Sequence, residues 1–220
     1  MPQDSLISGL LRRYGETYSS ELGLDLSGNI PAHLFRWLCA CLLMSAPISA
    51  RLAMRATRAL ADKGWTTPAK LALSHWADRK SVLTAAGYAR FDEKSATLLG
   101  ELAEKIMTDY DGDLRALRER AHRDPLTERK LLKEFKGIGD VGADIFCRET
   151  QVVWKELYPF TDDRTYAAAR SLGLPEDATY LSALVEPEKF PDLLSALIRA
   201  DTAGETAASL GLSDRTPKDD

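Results

Sequence analysis

The chain has 220 residues, 45% of them hydrophobic and 28% charged, and carries a net charge of −4. That is ordinary globular composition, enough for one domain or two small lobes with a core of their own. The acidic balance weighs against broad coating of nucleic acid but leaves room for a local basic face. The longest apolar run, Trp37 to Ile48, is shorter than the ~20 residues of a membrane span, and no basic leader opens the chain, so a cytoplasmic protein without membrane contact is expected. Cys39, Cys41 and Cys147 are too few for a disulfide framework or a four-ligand cluster. They are expected as buried thiols, with no metal and no cofactor.

In chain order, a short helix is expected at 5–14. After the Gly28-Asn29 break, "PAHLFRWLCACLLM" (31–44) opens on Pro31 and is apolar nearly all round, which predicts a central buried helix. The next helix stops at Gly64, with Leu52, Met54, Ala56 and Leu60 inward and Arg51, Arg55 and Arg58 outward. Short helices follow at 68–72 and 75–86. The stretch "EKSATLLGELAEKIMTDY" then spaces Leu98, Leu102 and Ile106 four residues apart, the clearest amphipathic pattern in the chain. Further helices are expected at 113–121, 127–135, 140–153, 163–172, 178–185 and 187–200, before a polar tail that frays. No stretch alternates at period two, so the fold class is all-α.

Between two of these helices stands Gly137-Ile138-Gly139. Two glycines permit a turn too tight for side chains, and the helix that restarts presents unpaired N–H groups, a ready anion site. Alone, such a turn serves equally well as a packing joint. Asp140 sharpens the choice, since a carboxylate repels phosphate; as an N-cap it would simply satisfy the new helix. Downstream, "YPFTDDRTYAAARSLGLP" sets an acidic pair, Asp162-Asp163, at the mouth of another helix.

A glycine hairpin followed some twenty residues later by an aspartate resembles the helix–hairpin–helix DNA glycosylases, the group of endonuclease III, the adenine glycosylases and the bacterial 3-methyladenine glycosylases. "LFRWLCACLLMSAPISARLAMRATRAL" is similar to their early buried helix, small-residue loop and second helix, and "GYARFDEKSATLLGELAEKI" to their Gly-Tyr helix entry. The resemblance runs from about residue 30 to 200. It implies a two-lobed fold: a helical barrel over 31–150 ending in the hairpin, and a second lobe from 1–30 with 151–220.

It further implies a monomer that binds double-stranded DNA containing a damaged base. The hairpin residues Lys136, Gly137, Ile138, Gly139, Val141 and Gly142 would hold the phosphate backbone together with Arg164. Val141 stands where lyase-competent members carry a nucleophilic lysine, so hydrolysis by water is expected, on a base already primed to leave by alkylation. No cysteines follow Cys147 to build the iron–sulfur cluster of the endonuclease III subgroup. The catalytic carboxylate is Asp162 or Asp163, respectively 21 and 22 residues beyond Val141. The first suits the family spacing, while the second suits the helix period through Tyr166 and Ala169. Either would stabilise positive charge on the sugar; either would also serve merely as a helix cap. Trp37 and Tyr158 are candidate base-stacking walls. Pro47 is a candidate wedge or a plain helix end. Two other functions stay open: a helix–hairpin–helix DNA binder without this catalysis, and a protein-interaction module.

Overall fold

The computed structural model describes residues 3–211, so the tail expected to fray lies largely outside the described residues. The described chain is all helical. Its elements are α1 (Gln3–Tyr14), α2 (Tyr18–Glu21), α3 (Pro31–Met44), α4 (Ala50–Asp62), α5 (Pro68–Ala72), α6 (Trp76–Ala85), α7 (Asp92–Asp109), α8 (Arg115–Arg120), α9 (Pro125–Leu132), α10 (Asp140–Thr150), α11 (Asp163–Ser171), α12 (Ala178–Ser182), α13 (Phe190–Thr202) and α14 (Ala207–Gly211). Prolines open α3, α5 and α9 at their first turn, where the missing N–H costs nothing. Side-chain oxygens of Thr67, Asp124, Asp162 and Asp177 cap α5, α9, α11 and α12.

Two hydrophobic cores organise these helices. The larger is built on α3, whose Leu34, Phe35, Trp37, Leu38 and Leu43 are fully or almost fully enclosed, with α4, α6, α7 and α10 around it. The smaller packs Leu6, Ile7 and Leu10 of α1 against Ala168 and Ala169 of α11 and the buried face of α13. The lobe limits expected from the sequence shift in two places. Tyr18 to Leu26, and Trp154 with Leu157, belong to the larger core rather than to the smaller one. Their anchors are apolar side chains; the chain leaves the smaller core after α1, before Tyr18, and returns to it after Leu157.

Several element ends also move. The helix expected at 127–135 is α9, which starts earlier because Asp124-Pro125 caps and opens it. It ends at Leu132 because the following residues already turn into the hairpin. The expected helix at 187–200 divides into a 3-10 turn, Pro187–Lys189, and α13. The inward face of α7 is Leu99, Leu102, Ala103 and Ile106, while Leu98 is only half-buried at its margin. Leu98 has a separate task, described below. Arg51, Arg55 and Arg58 are exposed on α4 as the period requires, and all three cysteines are buried and free.

One buried carboxylate fastens the lobes together. Glu149 on α10 accepts from the backbone N–H of Tyr18 at 2.9 Å and of Ser19 at 2.8 Å, and lies 3.3 Å from the Ser195 hydroxyl on α13. Burial pushes its carboxyl up, opposed by those hydrogen bonds.

Candidate nucleic-acid interface

The hairpin between α9 and α10 is fixed from beneath. Ile138 is buried, and its N–H donates to the Phe135 carbonyl at 2.9 Å. Gly137 has φ +88°, a left-handed conformation that demands glycine, and a Cβ there would lie 2.8 Å from Cδ1 of Leu98, whose side chain would have to shift. Gly139 differs. It is the N-cap of α10 at φ −94°, and an added Cβ would meet nothing within 4 Å. Nothing inside the protein requires glycine at that position, whereas a ligand approaching the first N–H groups of α10 would. Gly142 is buried because α10 approaches the end of α3 closely: a Cβ would sit 2.5 Å from the Ser45 hydroxyl.

The structure corrects the expected role of Asp140. The N-cap is Gly139, and Asp140 is the first helical residue. Its carboxylate accepts from Lys133 Nζ at 2.7 Å and pairs with Arg129 Nη2 at 2.9 Å. The Lys133 ammonium holds it below the usual carboxylate range. Arg129 also pairs with Asp144. These four side chains sum to zero charge, so the open N-terminus of α10 is not backed by a dense cationic patch. Lys136 is exposed and pairs with Glu101 at 3.2 Å.

Beside the hairpin lies a cleft of about 260 Å³. Met44 and Ile48 close one side, Val141 and Ile145 of α10 a second, and Ile198 of α13 a third. Its charged lining is Arg148 and Arg164. Arg164 is exposed on α11 and donates to the Thr202 hydroxyl at 3.1 Å. Arg148 is almost enclosed. Its Nε and Nη2 donate to Oδ2 of Asp162 at 2.8 and 2.5 Å, and both side chains are 4% exposed.

Oδ1 of Asp162 accepts from the Thr165 N–H at 2.8 Å and the Thr165 hydroxyl at 3.1 Å, capping α11. The Asp162 carboxylate is therefore a cap and half of a buried ion pair at once, and Arg148, not Asp162, lines the cleft. Asp163 is exposed in the first turn of α11.

Two of the expected pocket walls are elsewhere. Trp37 has no exposed surface and its indole N–H donates to the Phe146 carbonyl at 3.4 Å; it is core and has no face for a base. Tyr158 is half-buried against Phe190 of the smaller core, ring edge to ring face with centroids 5.6 Å apart, and does not line the cleft. Pro47 is exposed on the loop between α3 and α4, next to Ile48 and Ser49, which do line it. The structure thus brings Val141, Arg164, the Pro47 loop and the Asp162–Arg148 pair to one region. The cleft residues Tyr18, Met44, Ile48 and Ile198 carried no sequence signal, being apolar residues on three separate helices and the loop after α3.

A second titratable group lies away from the cleft. Glu128 on α9 is fully buried, and neither carboxylate oxygen finds a donor. Burial and the neighbouring Glu156 push its carboxyl up to about 9. Glu156 is buried enough to be pushed upward too, but the Arg118 guanidinium, at 2.5 and 2.6 Å, outweighs this and holds it at about 2. A protonated Glu128 accounts for the missing donors, because it then donates to Glu156 instead of accepting.

No protein-family model matches the sequence, and no curated protein is similar to it. Two solved structures are. One is the 3-methyladenine DNA glycosylase MagIII of H. pylori bound to 1,N6-ethenoadenine. It is 16% identical with a TM-score of 0.54, over 86% of this chain and 99% of that one. The other is a trapped covalent intermediate of endonuclease III with DNA, 16% identical with a TM-score of 0.48, over 74% of this chain and 71% of that one. No helix among the described residues is long and apolar enough to cross a membrane. The chain, with its glycine hairpin packed on the larger core, thus has the helical fold of the H. pylori glycosylase.

Proposed function

We propose that the protein binds duplex DNA with its hairpin and hydrolyses the N-glycosidic bond of a damaged base held in the cleft, without a lyase step. The observation that carries this reading is the shared position of three features: the open N-terminus of α10 behind a Gly139 that the protein itself does not need, Val141, and the Arg148–Asp162 pair. In the reaction a water oxygen bonds to the sugar C1′ as the C1′–N bond breaks. The electron pair of that bond leaves with the base, and the proton lost by water ends on the base. Of the acidic pair, Asp162 is assigned the stabilisation of positive charge on the sugar, since it is held in place from both oxygens.

The same four hydrogen bonds favour a second reading, a DNA binder without hydrolysis, because the carboxylate is already fully engaged. Single-turnover excision over a panel of lesion-containing duplexes, beside binding to an abasic-site analogue, separates the two. Product from any lesion supports the enzyme; binding with no product supports the binder. Binding to none of the duplexes overturns both.

The two hairpin glycines give a cleaner test of the DNA role. Gly137→Ala is expected to destabilise the fold by about 1–2 kcal/mol, the cost of a left-handed non-glycine residue. Gly139→Ala is expected to leave the melting temperature unchanged and still weaken every duplex about equally, with little change in salt slope. Unaltered affinity in Gly139→Ala would remove the hairpin from the interface. Absence of an amine at Val141 gives another expectation: borohydride traps no covalent complex with an abasic duplex, and a trapped band would refute hydrolysis as the sole chemistry.

A further inference from the structure

Resting on that reading of the cleft, we infer that the site selects an uncharged damaged base bearing a hydrogen-bond acceptor and rejects a cationic one, and that Arg148 is the residue that makes the distinction. The sequence pointed to alkylated bases primed by positive charge, and the charges around the cleft oppose this. Its charged lining is two guanidiniums, Arg148, neutralised from behind by Asp162, and Arg164, which has no carboxylate partner among the described residues, and no carboxylate stands on the wall. The adjoining groove, which shares Tyr18, Ser49, Ala50 and Thr202 with the cleft, adds Arg51, Arg199 and one carboxylate, Glu21, already paired with Arg199 at 2.7 Å. A cationic base would leave water for a wall that offers it guanidinium N–H groups and the charge of Arg164, with no carboxylate free to receive it.

Arg148 also has a group to offer. Nε and Nη2 are spent on Asp162, while Nη1 makes no hydrogen bond among the described residues. A guanidinium fixed at two nitrogens by a buried carboxylate presents its third at little entropic cost. An acceptor on the base, a ring nitrogen or an exocyclic oxygen, would complete its set. The apolar walls formed by Met44, Ile48, Ile145 and Ile198 suit a flat neutral ring. In hydrolysis the same N–H would stabilise the base as it departs with the bonding electron pair, before the proton released by water reaches it.

The test compares two methylated guanines of opposite character. Duplexes carry O6-methylguanine, which is neutral, or 7-methylguanine, which is cationic, each on a 2′-fluoro sugar so that binding is measured without bond breakage. An abasic-analogue duplex and an undamaged duplex complete the set. The intact protein is expected to hold the neutral lesion about tenfold more tightly than the cationic one, the equivalent of one tenfold step in Kd.

Arg148→Met alone would strand a buried carboxylate and threaten folding, so it is paired with Asp162→Asn. That double variant is expected to lose the preference, binding the two lesions with equal affinity. Arg164→Met, at an exposed position, is expected to reduce the preference in part. Equal or tighter binding of 7-methylguanine would overturn the inference while leaving the DNA reading intact, as would a double variant that keeps the preference. Failure to bind even the abasic analogue would overturn the DNA reading, and this inference with it.

Discussion

Asp162→Asn is expected to lower stability by about 3 kcal/mol, the scale on which losing one partner of a buried ion pair is felt. Arg148 would face a neutral amide at a position where both side chains are 4% exposed. The cap on Thr165 survives, because the Asn side-chain oxygen still accepts from its N–H. Asp163→Asn, exposed and at the helix surface, is expected to change stability by less than about 0.5 kcal/mol.

Excision separates the two positions independently of stability, provided it is measured well below both melting temperatures. If Asp162 stabilises the sugar cation, single-turnover excision falls at least ~100-fold in Asp162→Asn and stays near its original rate in Asp163→Asn. The reverse ranking would move the catalytic role to Asp163. A lower melting temperature with unchanged excision would leave Asp162 as a cap and ion-pair partner alone.

Glu128→Gln is expected to stabilise the protein at alkaline pH and to flatten its pH dependence. The folded chain keeps a proton on Glu128 up to about 9, while the unfolded chain releases it near the ordinary 4.5. The stability this group contributes is therefore complete below pH 4.5 and drains away as pH rises towards 9. Glu156 acts in the opposite sense: held at about 2, its contribution is present above 4.5 and lost as pH falls through 2.

The pair thus favours mildly acidic conditions. A glutamine at 128 keeps a donor for Glu156 and has no proton to lose. At pH 8 the variant is expected to gain on the order of 2 kcal/mol, or several degrees in melting temperature. Melting curves from pH 4 to 9 check this. A parallel offset between the two proteins, with no convergence at low pH, would show that Glu128 is not the group titrating.

The sequence carried the architecture well because helix periodicity and punctuation are local. Pro31, Pro68 and Gly64 bound their helices within a residue or two of the observed ends. The run 31–44 is buried because it is apolar all round. The hairpin was legible for the same reason, since two glycines two positions apart between helical stretches leave a plain mark. The lining of the cleft was not. Met44, Ile48, Val141 and Ile198 come together only through the packing of α3, α10 and α13, and an isoleucine facing a cleft reads like one facing a core. Trp37 misled because a large aromatic on a central helix is as natural in a core as beside a base. The Asp162–Arg148 pair was half visible: the acidic residue stood out at a helix mouth. Its partner, fourteen residues earlier on α10, is set opposite it only where the fold brings α10 to the head of α11.

Arg148 and Glu149 are successive residues in the last turn of α10, and they grip different parts of the molecule. One is bonded to Asp162 at the head of α11, the other to the backbone of α2 and the hydroxyl of Ser195. Relative motion of the lobes must therefore break several buried polar bonds together, or unwind that turn. Slow, cooperative opening follows, with amide exchange at 148–150 tracking the separation of the lobes rather than local fraying. A receptor this stiff does not fold around its ligand. On the proposed reading the duplex has to supply the deformation, so lesions that already weaken base stacking should associate faster than intact DNA even where final affinities are alike.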